Sequence, residues 1–136
     1  MKDYVGTPCL RDRITGLSAH VMRAYDELRP YSDRFDTIAV SGITGMLVGP
    51  WLAELMHKSL AIVRKPGDTH SHGPASNVEG YVGNSYIALD DHIASGNTVI
   101  RIQREIAAVK PTALYVGSYM YDDPFLGTDL SIDPRP

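Results

Sequence analysis

Cysteine occurs once in this chain, at Cys9, so no intrachain disulfide can brace the fold, and a reducing, cytoplasmic setting is expected. No Lys/Arg-rich run is present either. The 13 basic residues are outweighed by 16 acidic ones, for a net charge of −3, which argues against nucleic acid as a partner. A phosphate-bearing ligand must then be held by local devices and a metal ion, not by a broad basic surface. Long apolar runs are missing as well. The most apolar stretch, Ile43 to Met56, is short and interrupted by Gly45, Gly49, Pro50 and Glu54, so no membrane span or membrane partner is expected. Met1-Lys2-Asp3-Tyr4 leads into polar residues and does not read as a signal peptide. Internal repeats and low-complexity tracts are absent from the sequence.

What remains is ordinary for one soluble domain over residues 1–136 with a single core: 43% apolar and 21% charged residues. Four short apolar runs stand out, Thr37-Ile38-Ala39-Val40, Leu60-Ala61-Ile62-Val63, Tyr86-Ile87-Ala88-Leu89 and Ala113-Leu114-Tyr115-Val116. Each is continuous, not alternating, as expected of strands covered on both faces of a parallel sheet. Helical stripes lie between or before them. Ile14, Leu17, Val21, Tyr25 and Leu28 form one, and Trp51, Leu52, Leu55 and Met56 mark a helix from Gly49 to His57 with Pro50 in its first turn. Val99, Ile102, Ile106 and Val109 mark another, stopped by Pro111. The order predicts an α/β fold with a mostly parallel sheet of about five strands flanked by helices. Pro66 to Gly83 is polar, rich in Gly, Ser and His, and reads as a flexible loop.

Ligands of open parallel sheets gather beyond the carboxyl ends of strands, so the residues following each run are the ones to read. After Tyr86–Leu89 come Asp90-Asp91-His92-Ile93-Ala94-Ser95-Gly96-Asn97-Thr98 and then a helix. Two adjacent carboxylates suit a vicinal diol and a hydrated Mg²⁺. Backbone N–H groups at the helix start, with the Ser95 and Thr98 hydroxyls, suit a phosphate. Diol recognition followed at once by phosphate recognition is what a ribose 5-phosphate requires.

Ile87 to Thr98, with its acid pair, small residue, Ser, Gly and Thr, resembles the signature by which type I phosphoribosyltransferases bind phosphoribosyl diphosphate (PRPP). The resemblance implies that Asp90, Asp91, Ala94, Ser95, Gly96, Asn97 and Thr98 bind PRPP, with Asp90 and Asp91 also holding Mg²⁺. Ser41-Gly42-Ile43-Thr44-Gly45 after the first run is similar to the family's pyrophosphate loop, although a Gly-containing turn between strand and helix is also a common plain turn. Arg64-Lys65 stands where the family carries basic residues that meet pyrophosphate oxygens, although such a pair is ordinarily just solvated.

The stretch from Arg64-Lys65 through His72-Gly73 to Val78-Glu79-Gly80 resembles the catalytic loop of orotate phosphoribosyltransferases. His72 matches the loop His; the expected loop Lys is missing, and His70 stands near its place. Arg64-Lys65-Pro66-Gly67 is also similar to adenine-specific members, and Ala94 replaces the acid usual in 6-oxopurine enzymes. The base therefore stays open, with a tilt toward an orotate-like pyrimidine. His70, His72 and Glu79 are the candidate catalytic residues, Glu79 being as readily a plain turn residue. His70 and His72 also form a His-x-His pair, but no motif links Cys9, His20 or His57 to it as further zinc ligands.

Residues 119–136 stand where family members build a hood over the base. Tyr119, Tyr121 and Asp122 are the candidate base contacts, core closure being the alternative for each aromatic ring. The resemblance implies transfer of a phosphoribosyl group from PRPP to a nucleobase, with inversion at the anomeric carbon, by a homodimer with a reduced hood. A PRPP-binding regulator without catalysis, or a transferase using another pyrophosphorylated ribose donor, remains an alternative.

Overall fold

In the computed structural model, residues 16–65, 76–91 and 96–122 are described. Helix α1 (Leu17–Leu28) buries Val21, Ala24 and Leu28, one stripe at helical spacing, and runs into a 3-10 helix at Arg29–Arg34. Strand β1 (Thr37–Ser41) follows, then helix α2 (Ile43–Met56), β2 (Ser59–Val63), β3 (Val78–Gly80), β4 (Ser85–Asp90), helix α3 (Asn97–Val109) and β5 (Leu114–Met120). The sheet order is β3-β2-β1-β4-β5. All neighbours are parallel except β2 and β3.

Continuous apolar strands are explained by cover on both faces. Ile38, Val40, Ile87 and Leu89 pack with α1 and α2 in one cluster, whereas the alternate residues Ala39, Ala61, Val63 and Ala88 pack against Ile102 and Ile106 of α3. Among the described residues, no helix is long and apolar enough to cross a membrane.

Three expectations are corrected. Helix α2 begins at Ile43, not Gly49, so Pro50 lies inside it and not in its first turn. The glycines that look like breakers face the sheet. A Cβ on Gly49 would lie 2.6 Å from Val40 Cγ1, so the missing side chain is what lets α2 settle onto β1. Second, the expected loop 66–83 contains β3, whose Ala61–Gly80 and Val63–Val78 pairings make it an antiparallel edge. Third, Val109 is not on a buried stripe but is exposed at the end of α3.

Register sets the place of the site. Ser41 stands beside Val63, Val40 beside Leu89, and Asp90 beside Met120. The carboxyl ends of the four parallel strands are therefore nearly level, and the turns that leave them share one rim.

Candidate active site

Helix α2 starts directly after β1 because Gly42 turns the chain with φ of 87°, a region that disfavours a side chain. That turn brings Ser41, Gly42, Ile43 and Thr44 to the rim. Together with Lys65 after β2, Asp90 and Asp91 at the end of β4, and Thr98 and Arg101 of α3, they line a cavity of about 380 Å³. A second cavity of about 560 Å³ shares Gly42, Ile43 and Lys65 with the first and extends along Met46, Leu47, Ile62, Val63, Arg64 and Glu79.

Asp90 is nearly buried, at 7% exposure. Burial is the main cause that pushes its carboxyl up to about 7, reinforced by the hydrogen bond and the negative charge of Asp91. The Asp91 N–H, donated to Asp90 Oδ1 at 2.9 Å, and the Thr98 hydroxyl pull the other way. Thr44 spans the two carboxyls: its hydroxyl lies 3.1 Å from Asp91 Oδ1 and 3.5 Å from Asp90 Oδ1. One hydroxyl proton serves one carboxyl at a time, and the shorter contact is the better bond.

Charge of the opposite sign faces this pair. Lys65 and Arg101 line the same cavity, and Arg101 Nη1 donates to Ser41 Oγ at 3.1 Å. Arg101 is absent from the motifs read in the sequence. A signal for it exists: it lies three residues after Thr98, on the same helix face, and helical side chains lean back toward the N-terminus. At the rim of the second cavity, Arg64 Nη2 bonds Glu79 Oε2 at 2.7 Å. Its Nε is buried with no hydrogen-bond partner among the described residues.

The remaining expected residues divide plainly. Gly45 is buried and packs against Val40 at the base of the loop. Gly96 and Asn97 open α3. Glu79 sits on β3, exposed and paired with Arg64, so it belongs to a strand edge and not to an irregular loop. His70, His72, Ala94 and Ser95 lie outside the described residues, as does the hood segment beyond Asp122.

Tyr119 and Tyr121 do not offer rings to a base. Both are fully buried. The Tyr119 hydroxyl bonds the Glu27 carboxylate, and burial first, then that carboxylate, pushes its ionisation above the ordinary tyrosine range. The Tyr121 hydroxyl donates to the Thr44 carbonyl at 2.6 Å. These rings close the core under the site. Asp122 lies 3.6 Å from His20 Nε2, and its N–H donates to the Asp91 carbonyl.

Magnesium suits the acid pair better than a transition metal does. Both donors are hard carboxylate oxygens, and Mg²⁺ typically takes one or two such groups together with ligand phosphates and water. No group of three or more His, Cys, Asp or Glu side chains converges among the described residues, as an all-protein zinc cage would need.

No protein-family model matches the chain. An orotate phosphoribosyltransferase of Lactiplantibacillus plantarum is 30% identical over 118 residues, covering 84% of this chain and 51% of that protein. The chain thus spans about half the length of that curated relative. Among solved structures, an orotate phosphoribosyltransferase from Aeropyrum pernix has a TM-score of 0.64 at 17% identity, covering 86% of this chain and 64% of that one. An adenine phosphoribosyltransferase from Thermoanaerobacter pseudethanolicus has a TM-score of 0.55 at 20% identity, covering 86% and 76%. At these identities the likeness to the solved structures is one of fold.

Proposed function

The chain has the type I phosphoribosyltransferase fold, and we propose that it transfers a 5-phosphoribosyl group from PRPP to a nitrogenous base, releasing pyrophosphate. The observation that carries this reading is the single cavity in which an acid pair, a strand-to-helix turn with a glycine and two cationic side chains meet. A ribose with a phosphate at one end and a diphosphate at the other presents the matching groups.

Asp90 and Asp91 would hold the ribose hydroxyls, and residues 94–98, which lead into α3, would anchor the 5′-phosphate. Ser41 to Gly45, with Arg64 and Lys65, would bind the diphosphate through amides and cationic donors. The Nε of Arg64, without a hydrogen-bond partner among the described residues, supports a role for that side chain toward an anion. With both ends fixed, the anomeric carbon is left to move from leaving group to base across an oxocarbenium-like transition state. Mg²⁺, held by Asp90 and Asp91, would offset charge on the departing pyrophosphate. His70 and His72 would act from the segment between Lys65 and Ser76, and Glu79 from β3 beside Arg64.

An orotate-like pyrimidine is the first base to try, because the curated relative is an orotate enzyme and His72 stands at the matching place. Adenine is the second. A homodimer in the cytoplasm belongs to the same proposal.

The test is a panel of bases incubated with PRPP and Mg²⁺, read by pyrophosphate release. One base should release it, and Asp90→Asn with Asp91→Asn should abolish turnover while thermal unfolding stays cooperative. Undiminished turnover in that double variant would sink the assignment. PRPP binding with no release for any base would instead make the chain a sensor.

A further inference from the structure

Arg101 sits one turn inside α3, with Ile102 beside it buried against the sheet. Its side chain leans back toward the helix N-terminus and reaches the end of β1, where Nη1 meets Ser41 Oγ at 3.1 Å. The guanidinium is half-buried and lines the cavity that also contains Lys65, Asp90 and Asp91. Five N–H donors are available to it. Among the described residues its partner is one neutral hydroxyl, and no carboxylate lies within ion-pair distance. A half-buried cation with donors to spare in a cavity is arranged for an anion that arrives from outside.

Which anion follows from what Arg101 grips. Ser41 opens the 41–45 turn, and Lys65 approaches the same turn from β2. The two cations therefore flank the end of β1, whereas Thr98, at the start of α3, spends its hydroxyl on Asp90. The bond from Arg101 also occupies a lone pair of Ser41 Oγ. That leaves the Ser41 O–H to donate, so the hydroxyl is presented to a ligand as a donor. In a chain of net charge −3, the amides of the turn and Lys65 face a highly charged diphosphate, and a second fixed cation in this cavity is what Arg101 adds.

We propose that Arg101 is a diphosphate-binding residue of this site, contacting the pyrophosphate moiety from α3 and orienting the Ser41 hydroxyl toward it. This rests on the phosphoribosyltransferase reading of the same cavity.

The experiment uses Arg101→Gln and Arg101→Lys in the full chain, with Mg²⁺ present, and measures binding of pyrophosphate, PRPP and ribose 5-phosphate by calorimetry. Arg101→Gln should weaken pyrophosphate and PRPP about 10- to 100-fold, as expected for loss of a charge-assisted bond, and leave ribose 5-phosphate within about twofold. Arg101→Lys should restore part of the loss, since it keeps the charge and loses the fork. With a productive base, the KM for PRPP and the inhibition constant of pyrophosphate should rise together. Unchanged pyrophosphate affinity in Arg101→Gln, or an equal loss for ribose 5-phosphate, overturns the role of Arg101 while the parent reading stands. A parent protein that binds neither PRPP nor pyrophosphate overturns both.

Discussion

At the scale of single residues, Asp90 carries the largest tension. Burial holds its carboxyl near 7, against 3.8 for the free side chain. A carboxyl whose pKa rises on folding binds more protons folded than unfolded between those values, so it makes stability fall as pH rises through that window. In the ligand-free protein this contribution is fully present below about pH 4 and lost above about pH 7. Asp90→Asn should therefore raise the melting temperature at pH 8 by on the order of 2–5 °C, after allowing for partial solvent screening, and change it little at pH 4. Thermal unfolding of both proteins across pH 4 to 8 checks this. A variant destabilised equally at both ends would show that the carboxyl is not under strain. The stabilised variant should also be the inactive one, the usual trade at a site built for a ligand.

Elements show how much of the molecule was legible in the sequence, and why the rest was not. Strands β1 and β4 were readable because residues covered on both faces leave continuous apolar runs, whereas the run that marked β5 is its more exposed start, Leu114 to Val116, and its buried part is Gly117 to Met120. Strand β3 was not readable: it is three residues long, half polar and at an edge, so it leaves neither alternation nor a run. The first half of α2 was hidden by Gly45, Gly49 and Pro50, which read as breakers when tertiary contact is ignored. Asp90, Asp91, Thr98 and the 41–44 turn could be placed on one rim because strand ends in a parallel sheet are level. Arg101 escaped because its only signal is helical spacing: it follows Thr98 by one turn on the same face and belongs to no local motif. For Tyr119 and Tyr121 the sequence left base contact and core closure both open, because a strand end near a site and one in the core share the same composition; both rings are buried.

The packing of α2 makes its own prediction. Replacing Gly49 with Ala gains up to about 1 kcal/mol of helix propensity, but the new Cβ would meet Val40 Cγ1 at 2.6 Å. Val40 is short, branched and fully buried, so it cannot swing aside, and overpacking of this kind costs about 1–3 kcal/mol. The contact wins, and Gly49→Ala should be net destabilised in chemical denaturation. Adding Val40→Ala should remove the clash, seen as a favourable coupling in a double-mutant cycle. Additive losses would place the helix further from the sheet.

For the whole molecule, the outer side of α2 is the feature that one chain leaves unexplained. Trp51 and Leu55 are 63% and 41% exposed beside Pro50 and Glu54, whereas Ile43 and Met46 already line the cavities at the start of the helix. A helix that is apolar all round is ordinarily buried all round. A homodimer that covers this stripe should be seen by light scattering at micromolar concentration, and Trp51→Glu should yield folded monomers whose melting temperature no longer depends on protein concentration. A monomeric parent protein would show that the stripe is covered within one chain or left to solvent.

Tyr121 gives the site a history as well as a shape. It ties the Thr44 carbonyl across 77 positions of chain, and Tyr119 reaches Glu27 across 92. A ribosome adding about 5–20 residues per second emits the 41–45 turn roughly 4–15 s before the tyrosine that fastens it. During that interval the turn has no anchor beneath it, and the acid pair has no fourth strand beside it. The turn therefore gains its Tyr121 tie, and the acid pair its neighbour β5, only once the strand that ends at Met120 has been made.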